Sequence, residues 1–181
     1  MKQSYPLITW AVLLVLSACK SANEKKQEQA SQTQNTQVQP PLPVAAPLRI
    51  KDEVLHAVYD QYLQLSKAFV EGNATEAKLI SNALEAGARE LQGGGSIAAS
   101  AAKITAATSL ETQRSHFATL SNALTERIKN AEIENGEIYV DYCPMALDNK
   151  GANWLSSNTE IRNPYYGEEM LTCGEIKDTL K

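Results

Sequence analysis

Four sulfur-bearing side chains stand in two pairs near the end of this 181-residue chain. Cys143 and Met145 belong to the sequence CPM, and Met170 and Cys173 belong to the sequence MLTCG. Thiolates and thioethers are soft ligands, and among the common metals they suit Cu(I) best. In an oxidising compartment, however, two cysteines that approach each other are expected to form a disulfide.

The local spacing would let each pair act as a unit. Met170 and Cys173 are three residues apart, which puts both side chains on one face of a helical turn. Cys143 and Met145 are two residues apart, and in an extended segment they point to the same side. His116 lies in a segment with helical periodicity and would add an imidazole ligand. If the two pairs meet, the chain therefore offers two to four sulfur ligands to one ion.

A disulfide is the competing interpretation of the same residues. A bond between Cys143 and Cys173 would close a loop of about thirty residues and contribute roughly 3 to 4 kcal/mol in the chain-entropy model. Met145 and Met170 would then be ordinary packing residues around the bridge. A redox-active thiol pair is a third alternative, although the chain has no Cys-x-x-Cys sequence at a helix start to favour it.

The first residues have the pattern of a bacterial lipoprotein signal. Lys2 supplies a positive charge, the apolar run 6–16 is too short for a stable membrane span, and Leu-Ser-Ala precedes Cys19. We therefore expect residues 1–18 to be a signal peptide, and Cys19 to carry the lipid that anchors the protein. Lys20 differs from the aspartate that often signals inner-membrane retention, which favours the outer membrane and its periplasmic side.

Composition divides the rest of the chain into a tether and one domain. Residues 19–48 are polar, rich in glutamine and then rich in proline, which is typical of a disordered linker. Residues 49–181 remain as a single domain. The net charge of −4 and the pI near 5.3 provide no basic surface for nucleic acid.

The domain is predicted to be all-α. Apolar residues recur at spacings of three and four in four segments, and short connections between them favour an antiparallel four-helix bundle. Asn73 followed by Glu76 resembles a capping box at the second helix. The sequence GEIYVDY reads as extended, and a long irregular loop and a short final helix complete the prediction. The five predicted helices span 49–71, 73–91, 97–107, 110–131 and 175–180.

Three stretches of the domain together resemble a known family. YCPMALDNKGANWLS, EIRNPYYGEEMLTCGEIKDTL and QRSHFATLSNAL are similar to a bacterial periplasmic domain of unknown function. That domain occurs alone in small lipoproteins, and it is also fused to the C-terminal end of adaptor proteins of copper/silver-type efflux pumps. The resemblance spans roughly residues 50–181. It implies a context of metal export, and it implies heavy-metal efflux adaptors as partners.

Two functions follow as expectations. The first is a lipid-anchored periplasmic protein that binds a soft heavy-metal ion, Cu(I), through Cys143, Met145, Met170, Cys173 and His116, and serves metal efflux or homeostasis. The second is an interaction module without metal, in which a Cys143–Cys173 disulfide staples a loop that docks on an envelope partner. We expect no enzymatic activity, because the chain has no recognisable series of nucleophile, base and orienting residue.

Overall fold

The structure is a computed structural model, and it describes residues 47–181. The predicted signal peptide, the lipidation site Cys19 and all but the last residues of the predicted tether lie outside the described residues. Their assignments stay predictions.

Four helices form along the first half of the domain, as their apolar periodicity predicts. Each packs against the next in the chain, and each of the first two begins at a polar cap. Asn73 accepts a hydrogen bond from the Glu76 amide, and its side-chain amide donates to the Glu76 carboxylate. Within residues 47–181, no helix combines the length and apolar character that a membrane span requires. The helices are α1 (Glu53–Val70), α2 (Ala74–Glu90), α3 (Gly95–Ala106) and α4 (Leu110–Lys129).

The prediction of an all-α fold is wrong, because the described residues also contain two antiparallel sheets. The first pairs β1 with β2, and the second has the strand order β4-β3-β5. The segment 175–180, predicted as a short final helix, is strand β5. Six residues are too few for a stable isolated helix, and here their backbone groups pair with β3 instead. The strands are β1 (Arg49–Ile50), β2 (Ile133–Asn135), β3 (Ile138–Cys143), β4 (Ala152–Ser156) and β5 (Glu175–Leu180).

Aromatic side chains form the centre of the core between the helices and the second sheet. Phe117 on α4 stacks on Tyr62 with ring centroids 5.1 Å apart, and it also contacts Phe69 and Tyr165. Tyr165 meets the buried Trp154 edge-on at 6.1 Å. The loop after β4 is therefore held against the helices by aromatic packing.

Two tyrosine hydroxyls satisfy the outer edge of β4, which has a strand neighbour on one side only. The Leu155 amide donates to the Tyr62 hydroxyl at 3.0 Å, and the Tyr165 hydroxyl donates to the Asn153 carbonyl at 2.5 Å. The Tyr62 hydroxyl also bonds Ser121 on α4 at 2.8 Å. Since a buried backbone group without a partner is costly, these bonds fix the sheet against α1 and α4.

We expect Tyr62→Phe to lower the free energy of unfolding by about 1–3 kcal/mol, because the Leu155 amide and the Ser121 hydroxyl lose a buried partner. Tyr139→Phe is the matched control, since the Tyr139 hydroxyl donates to the side chain of Glu137 and to no backbone group of the sheet. Urea unfolding of both variants measures the difference. Equal losses in the two variants would contradict the role given to Tyr62.

Candidate functional site

The two cysteines meet where β3 ends and β5 begins. Cys143 is the last residue of β3, and Cys173 lies two residues before β5. Because β5 runs antiparallel to β3, with Tyr142 opposite Glu175, the two sulfurs reach the same point. Their Sγ atoms are 2.7 Å apart, with Cys143 buried and Cys173 half-buried.

This separation favours a disulfide over a shared metal ion. Thiolate sulfurs lie about 2.3 Å from a metal such as zinc, so two of them in a tetrahedral site stand about 3.8 Å apart. At 2.7 Å, two sulfurs bound to one such ion would subtend an angle of only about 70°. A disulfide, by contrast, requires the two sulfurs to lie about 2.05 Å apart, so they need only approach each other by less than 1 Å.

Both residues are free thiols in the structure, and protonation is favoured at one of them. The hydrogen bond with Cys143, followed by burial, raises the pKa of Cys173 to about 11. The thiolate is the form that binds metal and attacks disulfides. In the absence of a metal, the protonated form of Cys173 is therefore favoured at neutral pH.

Of the other three predicted ligands, His116 does not join the two thiols in a cluster within residues 47–181. Met145 is 45% exposed, and Met170 is half-buried at the end of a short 3-10 helix, Gly167–Met170. His116 is half-buried on α4, and among residues 47–181 no hydrogen bond joins it to the thiol pair. In the same range, no group of three or more His, Cys, Asp or Glu side chains converges on a point that would hold a metal ion.

The turn that follows Cys143 has a left-handed backbone. Residues 144–151 connect β3 to β4 and include the short helical element α5 (Ala146–Asn149). Leu147, Asp148 and Asn149 have φ angles of 54°, 58° and 63°. Asp and Asn tolerate this region, but each such residue costs roughly 1–2 kcal/mol, and Leu147 has no polar side chain to offset the cost. Strain of this kind is concentrated at functional sites.

The segment before Cys173 is organised by one buried amide, that of Asn163. Its side-chain nitrogen donates to the Cys173 carbonyl at 2.8 Å, and its backbone amide donates to the Leu171 carbonyl at 2.7 Å. Its side-chain oxygen accepts from the Tyr165 amide at 2.8 Å. Residues 163–173 are therefore a folded turn. Asn163 was not singled out as a site residue from the sequence.

Arg114 on α4 attaches this turn to the helices. Its guanidinium donates to the Pro164 carbonyl at 2.9 Å and to the Phe69 carbonyl at the end of α1 at 3.0 Å. Gly167 fits closely beside the same helix end, because a Cβ there would lie 2.7 Å from the Val70 carbonyl oxygen. Arg114 lies in the stretch QRSHF, where the sequence analysis singled out His116 instead.

The two turns form one surface, which we call the double turn and define as residues 144–151 and 163–173. Besides the thiol contact, the Tyr166 hydroxyl donates to the Met145 carbonyl at 2.6 Å. Partial burial, together with the nearby Cys143 and Asp148, raises the pKa of Tyr166. Atoms of both turns therefore surround this tyrosine.

A buried carboxyl lies on the same strand, two residues from Cys143. The Asp141 side chain is fully buried, and neither carboxylate oxygen has a hydrogen-bond partner within the described residues. Burial raises its pKa to about 7, since an ion without partners is unfavourable away from water. This residue was not singled out from the sequence, where it is one polar position in an apolar strand.

Comparison with known proteins gives one result for the helical part of the chain. Residues 58–136 match a family described as a protein of unknown function (DUF3347). The match supports a domain of unknown function, and it ends before Cys143, so the double turn lies outside it. No curated protein and no solved structure matches the chain. The periplasmic location and the link to efflux adaptors stay predictions.

Closing the Cys143–Cys173 bond should stabilise the domain by about 3–4 kcal/mol, because it removes entropy from the unfolded chain. The measurement is urea unfolding of the full chain, oxidised and then reduced. The double variant Cys143→Ala/Cys173→Ala is the control and should show no dependence on reductant. A stability unchanged by oxidation, with the bond shown to be present, would refute this prediction.

Replacement of the buried carboxyl should change how stability depends on pH. The folded-state pKa of Asp141 is raised from 3.8 to about 7, so its protonated form is favoured by folding. The free energy of unfolding that this preference contributes is fully present below about pH 4, and it is lost as the pH rises through about 7. Asp141→Asn should remove this fall in the free energy of unfolding with rising pH. At pH 8 it should stabilise the domain by up to about 4 kcal/mol.

Exposed Glu90 on α2, which forms no ion pair among residues 47–181, provides the control for this experiment. Glu90→Gln should leave the difference in unfolding free energy between pH 4 and pH 8 close to that of the unmodified chain. If the free energy of unfolding of Asp141→Asn still falls between pH 4 and pH 8 as in the unmodified chain, the buried carboxyl does not titrate in this range.

Proposed function

We propose that this chain is a non-enzymatic binding module that docks on a cell-envelope partner through the double turn, with Cys143 and Cys173 joined as a disulfide. The observation that carries the proposal is the 2.7 Å approach of the two sulfurs at the junction of the two turns. A bond there links the hairpin turn to the second turn, beside an exposed methionine. The sequence and the family resemblance supply the rest of the context.

The construction of the double turn supports a recognition role. Loops held on a rigid scaffold commonly carry binding functions. Restricting such a loop before it meets its partner reduces the conformational entropy lost on binding. The disulfide, the Asn163 bonds and the Arg114 bonds all provide this restriction. Met145, 45% exposed beside the thiol pair, is an apolar contact residue that no helix or strand covers.

The proposed cellular location and the proposed class of partner are inferred from the sequence. The lipoprotein pattern ending at Cys19 supports a lipid anchor on the periplasmic side of the outer membrane. The family resemblance supports heavy-metal efflux adaptors of the copper/silver type as partners. In this proposal the long polar tether lets the anchored domain reach such an assembly.

Binding of Cu(I) by the reduced chain is the second candidate function. It is favoured by the two adjacent thiols and by Met145, which follows Cys143 at a spacing suited to soft ligands. The two sulfurs would have to separate by about 1 Å or more to bind one ion, and the raised pKa of Cys173 opposes the thiolate form. His116 does not converge with the two thiols among residues 47–181, so it would join the site only after a rearrangement.

The redox state of the cysteines in cells separates the two candidates. Full chain is trapped with a maleimide reagent at the moment of lysis, and the mass added at Cys143 and Cys173 is measured. We expect no added mass without prior reduction and two modified residues after reduction. Two free thiols in untreated cells would contradict the docking proposal in its disulfide form.

Copper retention provides the complementary test. Purified chain, oxidised or reduced, is loaded anaerobically with Cu(I) and dialysed, and the bound copper is counted. Docking alone predicts no retained copper in either state. Retention of about one ion per chain by the reduced protein, abolished in Cys143→Ser/Cys173→Ser and kept in His116→Ala, would favour the metal function carried by the sulfurs.

A further inference from the structure

The double turn carries more negative than positive charge around its apolar residues. Asp148 lies in the first turn, and Glu168 and Glu169 lie in the second, all three exposed. Lys150 is the one basic residue of the two turns. Met145 is 45% exposed, and other apolar or aromatic residues of the double turn are half-buried beside it. The half-buried residues are Leu147, Tyr166, Met170 and Leu171.

These acidic side chains differ from most of the charged residues elsewhere on the domain. Exposed carboxylates such as Glu71 and Glu132 are neutralised by lysines at 3.5 Å and 2.7 Å. Among residues 47–181, none of the three acidic residues of the double turn forms an ion pair. Glu169 is near enough to the Arg114 guanidinium to act on its pKa, whereas the charges of Asp148 and Glu168 are available to a partner.

The acidic residues belong to one surface although they come from two turns. The Tyr166 hydroxyl lies 2.6 Å from the Met145 carbonyl oxygen. Asp148 from the first turn and Glu169 from the second both act on the pKa of the Tyr166 hydroxyl and raise it. The hydrogen bond between Tyr166 and Met145 therefore joins the turn that carries Asp148 to the turn that carries Glu168 and Glu169.

We propose that the double turn recognises a basic, apolar surface of its protein partner, one that presents Lys or Arg side chains around an apolar contact. This inference rests on the proposed docking function and adds the chemistry of the partner. Complementary charge accelerates association and excludes partners of the same sign. A second copy of this chain, docked face to face, would oppose acid to acid, and an anionic lipid surface would be repelled.

In-cell photo-crosslinking tests the inference on the full anchored chain. A photoreactive benzoylphenylalanine replaces Met145, and mass spectrometry identifies the crosslinked peptide. We expect a protein segment rich in Lys or Arg. Reversal of the three charges (Asp148→Lys, Glu168→Lys, Glu169→Lys) should reduce the crosslink about tenfold or more, because attraction becomes repulsion.

Two controls match this experiment. Charge reversal at Glu90, which is exposed on α2 and forms no ion pair among residues 47–181, should leave the crosslink unchanged. The same photoreactive group at Leu79, which is 71% exposed on α2, reports crosslinking by any exposed position. It should not give the same product.

The outcomes distinguish the inference from the function on which it rests. No crosslink from position 145 in chain shown to be oxidised would contradict both. A crosslink that survives the triple reversal, or that maps to an acidic segment, to lipid or to a second copy of the chain, would overturn the inference and leave docking itself standing. A product at a basic segment that is lost on reversal supports both.

Discussion

The antiparallel pairing of β5 with β3 is the constraint on which the candidate site depends. It returns the end of the domain to the centre of the sheet and brings Cys173 beside Cys143, at an Sγ separation of 2.7 Å. Each turn is formed by residues close together in the sequence, whereas the Cys143–Cys173 contact between the turns joins residues 30 positions apart. Without the β3–β5 ladder, the sulfurs would belong to unrelated loops, and neither a disulfide nor a shared ion would be possible.

Hydrogen bonds around the two cysteines hold the double turn rigidly on the domain. Asn163 donates a hydrogen bond to the Cys173 carbonyl. Arg114 on α4 bonds both the second turn and the end of α1. Tyrosine hydroxyls satisfy the outer edge of β4. These are bonds to backbone carbonyls and amides that would otherwise be buried without partners. The strained left-handed turn after Cys143 is retained within this framework, and the buried Asp141 carboxyl adds a cost that increases with pH.

Much of the helical layer could be predicted from the sequence, because amphipathic periodicity and capping are local properties. The apolar residues Val58, Tyr62 and Phe69, spaced by four and seven in the first predicted helix, are buried, whereas Val54 in the first turn of α1 is 38% exposed. The segment 175–180 was assigned wrongly, since a six-residue stretch adopts whichever structure its partners provide. Its partner, β3, lies more than thirty residues away, and no local signal reports that pairing.

The site was predictable to the same limited extent. The sequence left open whether Cys143 and Cys173 approach each other, and in the structure their Sγ atoms are 2.7 Å apart. Whether His116 joins them depends on tertiary packing that residue type and spacing do not report, and within residues 47–181 it does not. Asn163 and Arg114 were missed for a related reason: their partners are backbone carbonyls ten to fifty residues away.

Sulfur anomalous diffraction from crystals of unreduced full chain tests most directly whether a disulfide joins the two turns. We expect continuous density joining Cys143 to Cys173 at the usual bond length of about 2.05 Å. Two separate sulfur peaks about 3.8 Å or more apart, above all with a metal peak between them, would contradict it and restore the soft-metal interpretation.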